Sequence, residues 1–220
     1  MAPALIVFDL DGTLIDSAAD LAAAVNAMLA HFGGDPLPVP EVRRMIGDGV
    51  AMLVNRALAA RRCGRADPAE AARLFMRHYE SDATSRTTAF PGVAAALQSL
   101  HAAGIPLAVC TNKPARISEG ILAALGLAKY FARVIGGDSL PFRKPDPRVL
   151  QALLETFAAP PARALLVGDS EVDAATAQAA GVPFVLMKHG YRRGPAEEIP
   201  CIAALENFAG LTGLIDGLLR

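Results

Sequence analysis

The chain has 220 residues, of which 53% are hydrophobic, and its 21 basic and 22 acidic residues leave a formal net charge of -1. This length and apolar content suffice for one large folded domain, or for a core domain with a smaller companion, and they argue against a disordered chain. A nearly neutral chain has no basic field to attract a nucleic-acid backbone or a membrane surface. We therefore expect a small diffusible molecule as its partner.

The cysteines Cys63, Cys110 and Cys201 are widely spaced and form no CxxC pair. Free thiols in this arrangement are typical of a reducing compartment, and they favour neither a disulfide framework nor a metal-thiolate site. The apolar run near the N-terminus is shorter than that of a signal peptide, and no run is long enough to span a bilayer. We expect a cytoplasmic protein, monomeric or homodimeric, without a nucleic-acid or membrane partner.

Short apolar runs that end at a polar residue or a glycine predict buried strands. They lie at 5–8, 105–110, 133–135, 164–167 and 183–187. Helical patterns separate them, at 92–103, 115–125, 147–157 and 172–180. Continuous apolar strands that alternate with helices are typical of an α/β fold with a doubly wound parallel sheet, in which helices cover both faces.

Residues 16–86 interrupt this alternation because they contain no convincing strand. A parallel crossover needs only about a dozen residues, so the excess predicts a helical cap domain inserted into a discontinuous core of residues 1–15 and 87–220. Its amphipathic faces are Leu21, Val25, Met28, Leu29 and Phe32 on one helix, and Val50, Leu53, Val54, Ala57 and Leu58 on another. Ser17 and Asp20 are expected to cap the first helix. Because the insert leaves the core directly after two aspartates, we expect it to act as a lid over whatever they bind.

Polar residues that follow different strands are expected to meet, because ligands of parallel sheets bind beyond the carboxyl ends of the strands. In this chain they are Asp9, Asp11, Thr111, Asn112, Lys113, Asp169 and Ser170, with Asp173 one helical turn further on and Lys144 in a loop after the third predicted strand. A fold tolerates clustered carboxylates where a cation binds among them or where one acid stays protonated. A few aspartates beside a phosphate suit Mg²⁺, which keeps several of its waters.

The donors around this cluster are suited to a phosphate group. Lys144 adds a positive charge, and Thr111 and Asn112 supply hydroxyl and amide donors. Backbone N–H groups from Leu10 to Gly12 would bind further phosphate oxygens. The cluster therefore predicts a site that handles phosphate esters.

The positions of the first two acids predict different roles for them. Asp9, the first residue past its strand, would attack phosphorus as a carboxylate nucleophile and form an aspartyl phosphate. In an extended segment Asp11 points to the same side, so its carboxyl would protonate the leaving alcohol and later deprotonate the attacking water. A charge count agrees, because Mg²⁺ and Lys144 offset Asp9, Asp169 and Asp173 and leave Asp11 as the neutral acid.

These residues stand in four motifs that resemble, in order and spacing, those of the haloacid dehalogenase-like phosphohydrolases. The motifs are DLDGT at 9–13, TN at 111–112, KP at 144–145 and GDSEVD at 168–173. The resemblance implies a Rossmann-like core with a helical cap, and it makes Asp9 the nucleophile and Asp11 the general acid and base. It further implies that Thr111 and Lys144 stabilise the phosphate and the intermediate.

The resemblance also implies the metal ligands and the substrate. The Mg²⁺ ligands would be Asp9, Asp169 and the carbonyl oxygen of Asp11, with Asp173 in support. Within the family, DGTLIDSAADL, TNKP and GGDSLPFRKPDP look most like bacterial phosphoglycolate phosphatases, which implies hydrolysis of 2-phosphoglycolate to glycolate and phosphate. Asp11 argues against dehalogenation, because a halide leaving group needs no proton.

Several alternatives stay open at this point. Another small phosphate ester, pyrophosphate or a sugar-phosphate mutase reaction would use the same motifs, although the mutases usually carry a histidine in the helix after the first motif and SAADLAAAV has none. Rivals from other classes are a phospho-accepting receiver module and an inactive binding protein. Against the receiver, the candidate nucleophile follows the first strand and a long helical insert comes after it.

The segment IGDGV at 46–50 has two interpretations. It is either a tight turn between helices or a cap loop whose N–H groups at Gly47, Asp48 and Gly49, with Arg43 or Arg44, bind the carboxylate of a small acid. Tyr191, Arg192 and Arg193 follow the last predicted strand, and we expect them to be solvated.

Overall fold

The structure, a computed structural model, describes residues 3–219. Its strands are β1 (Leu5–Phe8), β2 (Ile15–Asp16), β3 (Thr88–Ala89), β4 (Leu107–Cys110), β5 (Arg133–Ile135), β6 (Ala164–Gly168), β7 (Phe184–Met187) and β8 (Ala203–Leu205). Its helices are α1 (Ala18–His31), α2 (Val39–Arg43), α3 (Val50–Ala60), α4 (Pro68–Ser81), α5 (Val93–Ala102), α6 (Ala115–Ala124), α7 (Arg148–Thr156), α8 (Glu171–Ala180) and α9 (Phe208–Leu219). Among these residues no helix is both long and apolar enough to cross a lipid bilayer.

A six-stranded parallel sheet in the order β5-β4-β1-β6-β7-β8 runs through the fold. Successive residues of β1 face opposite sides of it: Ile6 and Phe8 pack into the larger apolar cluster, and Leu5 and Val7 into a second cluster with α7 and α8. Because both faces are covered, β1 is apolar throughout. Its position between β4 and β6 puts its carboxyl end at the middle of the edge where parallel sheets bind ligands.

The predicted α/β fold is confirmed. The predicted strands are present as β1, β4, β5, β6 and β7, and the predicted helices as α5, α6, α7 and α8. The short strands β2 and β3 are absent from the sequence prediction, and so are the C-terminal elements β8 and α9. β8 is a partly exposed edge strand of three residues, and α9 contains Gly210, Gly213 and Gly217, which weaken the helical pattern.

The helices α1 to α4 all lie in the interval predicted as a cap. The strands β2 and β3 pair antiparallel where the chain leaves and re-enters the core, with Ile15 opposite Ala89 and Asp16 opposite Thr88. The two predicted amphipathic faces are buried apart from Phe32 and Val50, which are partly exposed. The bounds of 16–86 for a separate domain stay a prediction.

The predicted capping pair of Ser17 and Asp20 is wrong. Ser17 precedes α1, but its side chain caps no N–H of that helix and instead donates to the Asp11 carboxylate. Asp20 is buried and accepts hydrogen bonds from the Thr87 hydroxyl (2.7 Å) and the Arg86 N–H (3.0 Å). The segment that returns from the insert thus supplies the donors that a buried carboxylate requires.

We expect Gly120→Ala to stabilise the protein. Gly120 is exposed inside α6, and an added Cβ would meet nothing within 4 Å. Because glycine loses more backbone freedom than alanine on folding into a helix, the free energy of unfolding should rise by about 0.5–1 kcal/mol in urea denaturation. In the contrasting variant Gly137→Ala the Cβ would lie 2.3 Å from the Asn112 carbonyl oxygen, and overpacking should lower stability by about 1–3 kcal/mol. A destabilised Gly120→Ala would contradict the described environment of α6.

Candidate active site

The carboxyl ends of three neighbouring strands bring the predicted acids and hydroxyls together. Asp9 follows β1, Thr111 follows β4 and Asp169 follows β6, and all three side chains are buried. Asp169 accepts hydrogen bonds from the Thr13 hydroxyl (2.7 Å) and the Tyr191 N–H (2.6 Å). The chain segments after β1 and β7 thereby fix its orientation.

Asp169 also depends on glycines that leave room for it. A Cβ at Gly12 would lie 2.4 Å from Asp169 Oδ2, and one at Gly190 would lie 2.1 Å from Asp169 Cβ. Gly12 has a φ of +86°, which side chains rarely adopt. The Gly12 N–H donates to the Ile15 carbonyl oxygen (2.9 Å). This N–H is therefore not free to bind a phosphate, contrary to the prediction from the sequence. Leu10 is buried, and its backbone N–H lies close enough to the Asp9 carboxylate to lower the pKa of that group.

Lys144 joins the first and fourth motifs through two ion pairs. Its Nζ lies 2.9 Å from Asp9 Oδ1 and 2.6 Å from Asp173 Oδ1, and its side chain is 2% exposed. Asp173 is held in turn by Ser170, whose hydroxyl donates to Asp173 Oδ2 (2.6 Å) in a capping box at the start of α8. Asp173 is therefore a buried partner of Lys144 and not an acid on the helix surface.

The carboxylates of Asp9, Asp169 and Asp173 offer oxygen atoms that lie within 4.8 Å of one another. The pKa of Asp9 is raised to about 6, because burial and the charge on Asp173 raise it by more than Lys144 lowers it. Burial, followed by the charges of Asp173 and Asp9, raises the pKa of Asp169 well above its usual range. One lysine does not balance three buried carboxylates, and a donor set of hard oxygens fits a divalent cation of the Mg²⁺ type.

Asp11 is paired with a lysine that the predicted catalytic set omits. Lys113 Nζ lies 2.9 Å and 2.8 Å from the two oxygens of Asp11, which also accepts from the Ser17 hydroxyl. Burial alone would lower the pKa of Lys113, but the Asp11 carboxylate outweighs it and raises that pKa, so the side chain stays an ammonium. The position of Lys113 three residues past β4 marks it as a site residue, but the sequence does not reveal its pairing.

A cavity of about 40 Å³ opens above Asp9 and Asp11. The core contributes Thr111, Asn112, Lys113 and Pro114 to its lining, and the insert contributes Leu21, Ile46, Gly47, Gly49, Val50, Leu53, Phe75 and Tyr79. Asn112 links the two parts, because its Nδ2 donates to the Gly47 carbonyl oxygen (2.9 Å) and to that of Lys144 (3.0 Å). The insert therefore closes the site with an almost entirely apolar wall.

Two predicted cap residues, Arg43 and Asp48, do not line this cavity. Arg43 Nη2 lies 2.9 Å from Asp16 Oδ2, and its guanidinium lies over the Tyr191 ring. Asp48 pairs with Arg56 at 2.5 Å and also with Arg193. Each of the two side chains therefore forms an ion pair near the boundary between the insert and the core.

The expectation of a solvated Tyr191 is wrong, since the residue is 4% exposed. Its hydroxyl donates to Asp16 Oδ1 (2.6 Å) and accepts from the Ser17 N–H (2.9 Å). Its own N–H donates to Asp169. No sequence pattern marks this loop tyrosine, because its partners come from a segment more than 170 residues earlier in the chain.

The fold and the site are those of the haloacid dehalogenase-like hydrolases, and residues 6–187 match the sequence pattern of this family. The chain belongs to this family. It is 48% identical over 219 residues to a phosphoglycolate phosphatase of Cereibacter sphaeroides (97% of this chain, 98% of the relative) and 46% identical over 215 residues to one of Rhodospirillum rubrum (95% and 89%). A crystal structure of a predicted phosphoglycolate phosphatase from Haemophilus somnus matches with a TM-score of 0.91 at 32% identity, over 96% of this chain and 97% of that one.

We expect Asp9→Asn to change how stability depends on pH when no divalent ion is present. The pKa of Asp9 is raised from 3.8 to about 6 in the folded protein, so ionising it costs more in the fold than in the unfolded chain. Stability should therefore fall as pH rises through this window, and the asparagine variant should avoid that loss. At pH 8 its free energy of unfolding should exceed that of the wild type by about 3 kcal/mol.

Urea denaturation in EDTA at pH 4, 5, 6 and 8 measures the difference between the two proteins. Asp35→Asn, which removes an exposed carboxylate of the insert, controls for the loss of one negative charge. A difference between Asp9→Asn and wild type that stays constant over this range would contradict the raised pKa.

Proposed function

We propose that the protein is a Mg²⁺-dependent phosphomonoesterase that hydrolyses 2-phosphoglycolate to glycolate and phosphate. The observation that carries this proposal is the buried arrangement of Asp9 with Lys144 and Asp169 below a small cavity. Near full-length similarity to phosphoglycolate phosphatases supports the choice of substrate.

The reaction divides into two displacements at phosphorus. In the first, a carboxylate oxygen of Asp9 forms a bond to phosphorus while the bond to the glycolate oxygen breaks, and Asp11 gives its proton to that oxygen. In the second, Asp11 takes a proton from water, whose oxygen attacks the aspartyl phosphate and releases phosphate and Asp9. In the absence of substrate Asp11 is a carboxylate paired with Lys113. The substrate must loosen this pair, and Asp11 must take up a proton from solvent, before it can protonate the leaving oxygen.

The remaining residues hold charge near the reacting atoms. Lys144 lies against Asp9 and offsets the charge of the phosphoryl oxygens, and Thr111 supplies a hydroxyl at the same edge. A bound Mg²⁺ would stabilise the negative charge on the phosphoryl oxygens. Asp9, Asp169 and the Asp11 carbonyl oxygen would hold it, while Asp173 supports the site through Lys144.

The cavity favours a small leaving group over a sugar. A volume of about 40 Å³ accommodates only a few water-sized groups. The helix after the first motif also lacks the histidine that the related mutases usually carry. We propose that the insert acts as a cap that opens for exchange of substrate and product, and that the enzyme works in the cytoplasm, where the free thiols Cys63, Cys110 and Cys201 would stay reduced.

We expect the purified protein to release phosphate from 2-phosphoglycolate with a higher kcat/KM than from pyrophosphate, glycerol phosphate or glucose 6-phosphate. Asp9→Asn should abolish turnover because the nucleophile is lost. Asp11→Asn should keep the fold and lower kcat about 10²–10⁴-fold, since no proton reaches the leaving oxygen. Asp35→Asn serves as the control. Turnover by Asp9→Asn would refute the mechanism, and a low rank for 2-phosphoglycolate would refute the substrate while leaving the chemistry intact.

Mg²⁺ should raise the melting temperature of the wild type. At a concentration 100 times the dissociation constant, binding adds about 2.7 kcal/mol, which corresponds to about 5–10 °C for a chain of this size. Asp169→Asn should lose most of this shift because it removes a proposed ligand. Asp146→Asn, which alters an acid paired with Arg148 outside the site, should keep it. An Asp169→Asn protein that shifts as much as wild type would exclude Asp169 as a ligand.

A further inference from the structure

Lys113 is the only positively charged residue among those that line the cavity, all of which lie in the part of the chain that the structure describes. Its ammonium has three N–H donors. Asp11 accepts two short hydrogen bonds from it, and the ring of Tyr79 lies 4.7 Å below it, measured to the ring centre. On the side of the cavity that faces the insert, the first positive charge that an entering anion meets is therefore the Lys113 ammonium.

Tyr79 offers a second group without a partner. The residue is 2% exposed and lines the same cavity from α4. Within residues 3–219 its hydroxyl forms no hydrogen bond of normal geometry, although it lies close enough to the Lys113 ammonium for each group to shift the pKa of the other. Burial raises the pKa of Tyr79 to about 12, so the hydroxyl keeps its proton. A buried hydroxyl without a partner costs free energy, and a ligand that accepts its hydrogen bond would recover it.

We propose that Lys113 and Tyr79 together bind the carboxylate of the substrate, so that these two residues select phosphate esters that carry an acid group on a short chain. This inference rests on the proposed function, because it places the phosphate at Asp9 and Lys144. The carboxylate then accepts hydrogen bonds from the ammonium of Lys113 and from the hydroxyl of Tyr79. The same contact draws Lys113 away from Asp11 only when the correct substrate is present.

The remaining walls explain why other leaving groups are rejected. Leu21, Val50, Leu53 and Phe75 offer no side-chain hydrogen bonds. The hydroxyls of a glycerol or sugar leaving group would be buried against them without hydrogen-bond partners, and each such hydroxyl costs free energy. A carboxylate avoids this cost of burial only at the Lys113 end of the cavity, where it can accept hydrogen bonds.

The proposal assigns acid recognition to Lys113 and Tyr79 in place of the cap loop, from which Gly47 and Gly49 line the cavity but no charged side chain does. Arg43, the cationic candidate from that loop region, is paired with Asp16, and Asp48 is paired with Arg56 and Arg193. Neither Arg43 nor Asp48 lines the cavity. The substrate carboxylate is therefore bound by one residue of the core and one of α4.

The test compares 2-phosphoglycolate with ethyl phosphate, which has the same chain length and lacks the carboxylate. The measured quantity is the ratio of the two kcat/KM values at saturating Mg²⁺. We expect the wild type to favour 2-phosphoglycolate at least 100-fold. Tyr79→Phe should lower this ratio about tenfold and Lys113→Met about 100-fold, while Lys113→Arg should restore part of it because the charge is kept.

The chain provides matched controls, because Lys129 lies 5.1 Å from the centre of the Tyr130 ring in a second lysine-tyrosine pair outside the cavity. Lys129→Met and Tyr130→Phe should leave the ratio unchanged. If Tyr79→Phe and Lys113→Met lower both kcat/KM values equally, the residues are structural and the inference is overturned. A wild type that prefers 2-phosphoglycolate, with variants that keep the full ratio, overturns the inference alone. A wild type with no preference overturns both the inference and the proposed substrate.

A second measurement uses only the wild type, so it tests the inference even if the variants fail to fold. Glycolate and ethylene glycol are similar in size, but only glycolate carries a carboxylate. We expect glycolate to inhibit ethyl phosphate hydrolysis competitively at a concentration at least ten times lower than ethylene glycol. Equal inhibition by the two compounds would overturn the inference.

Discussion

Lys144 and its two aspartates are the interaction on which the rest of the site depends. A buried lysine is costly unless carboxylates surround it, and this need is met by Asp9 at the end of β1 and by Asp173 in the first turn of α8. Three carboxylates nevertheless exceed the one positive charge among them, and the raised pKa values of Asp9 and Asp169 reflect that excess. The fold thus keeps a pocket with a deficit of positive charge, which suits the binding of a cation.

The position of β1 explains why this pocket forms. A strand at the middle of a parallel sheet is buried on both faces, so its side chains are apolar until the chain leaves the sheet. The first residue that leaves is Asp9, and the neighbouring strands end beside it with Thr111 and Asp169. Glycines at 12 and 190 allow the two adjacent loops to approach Asp169 closely. The chemistry is therefore placed by the strands of the sheet and by loops that pack closely against Asp169.

The insert supplies one wall of the cavity, whereas the acids and lysines of the site come from the core. It contacts the core through Asn112 and the Gly47 carbonyl, through Asp48 and Arg193, and through Arg43 and Asp16. These contacts are polar and lie around the cavity, whereas the residues that face the cavity from the insert are apolar apart from the Tyr79 hydroxyl. An apolar wall lowers the local dielectric constant and so strengthens the electrostatic effects of Lys113 and Lys144.

The sequence by itself determines the α/β class, the central strands, the helical insert and the residues that follow each strand, because burial on both faces and strand ends leave patterns in the order of residues. It also indicates Asp9, Asp11, Lys144 and Asp169 as one site through their motifs. Only the tertiary structure decides the partners: Lys113 with Asp11, Tyr191 with Asp16, and Asp20 with the returning segment in place of a helix cap. Such contacts join residues that are far apart in the chain, and no local periodicity encodes which charge will meet which.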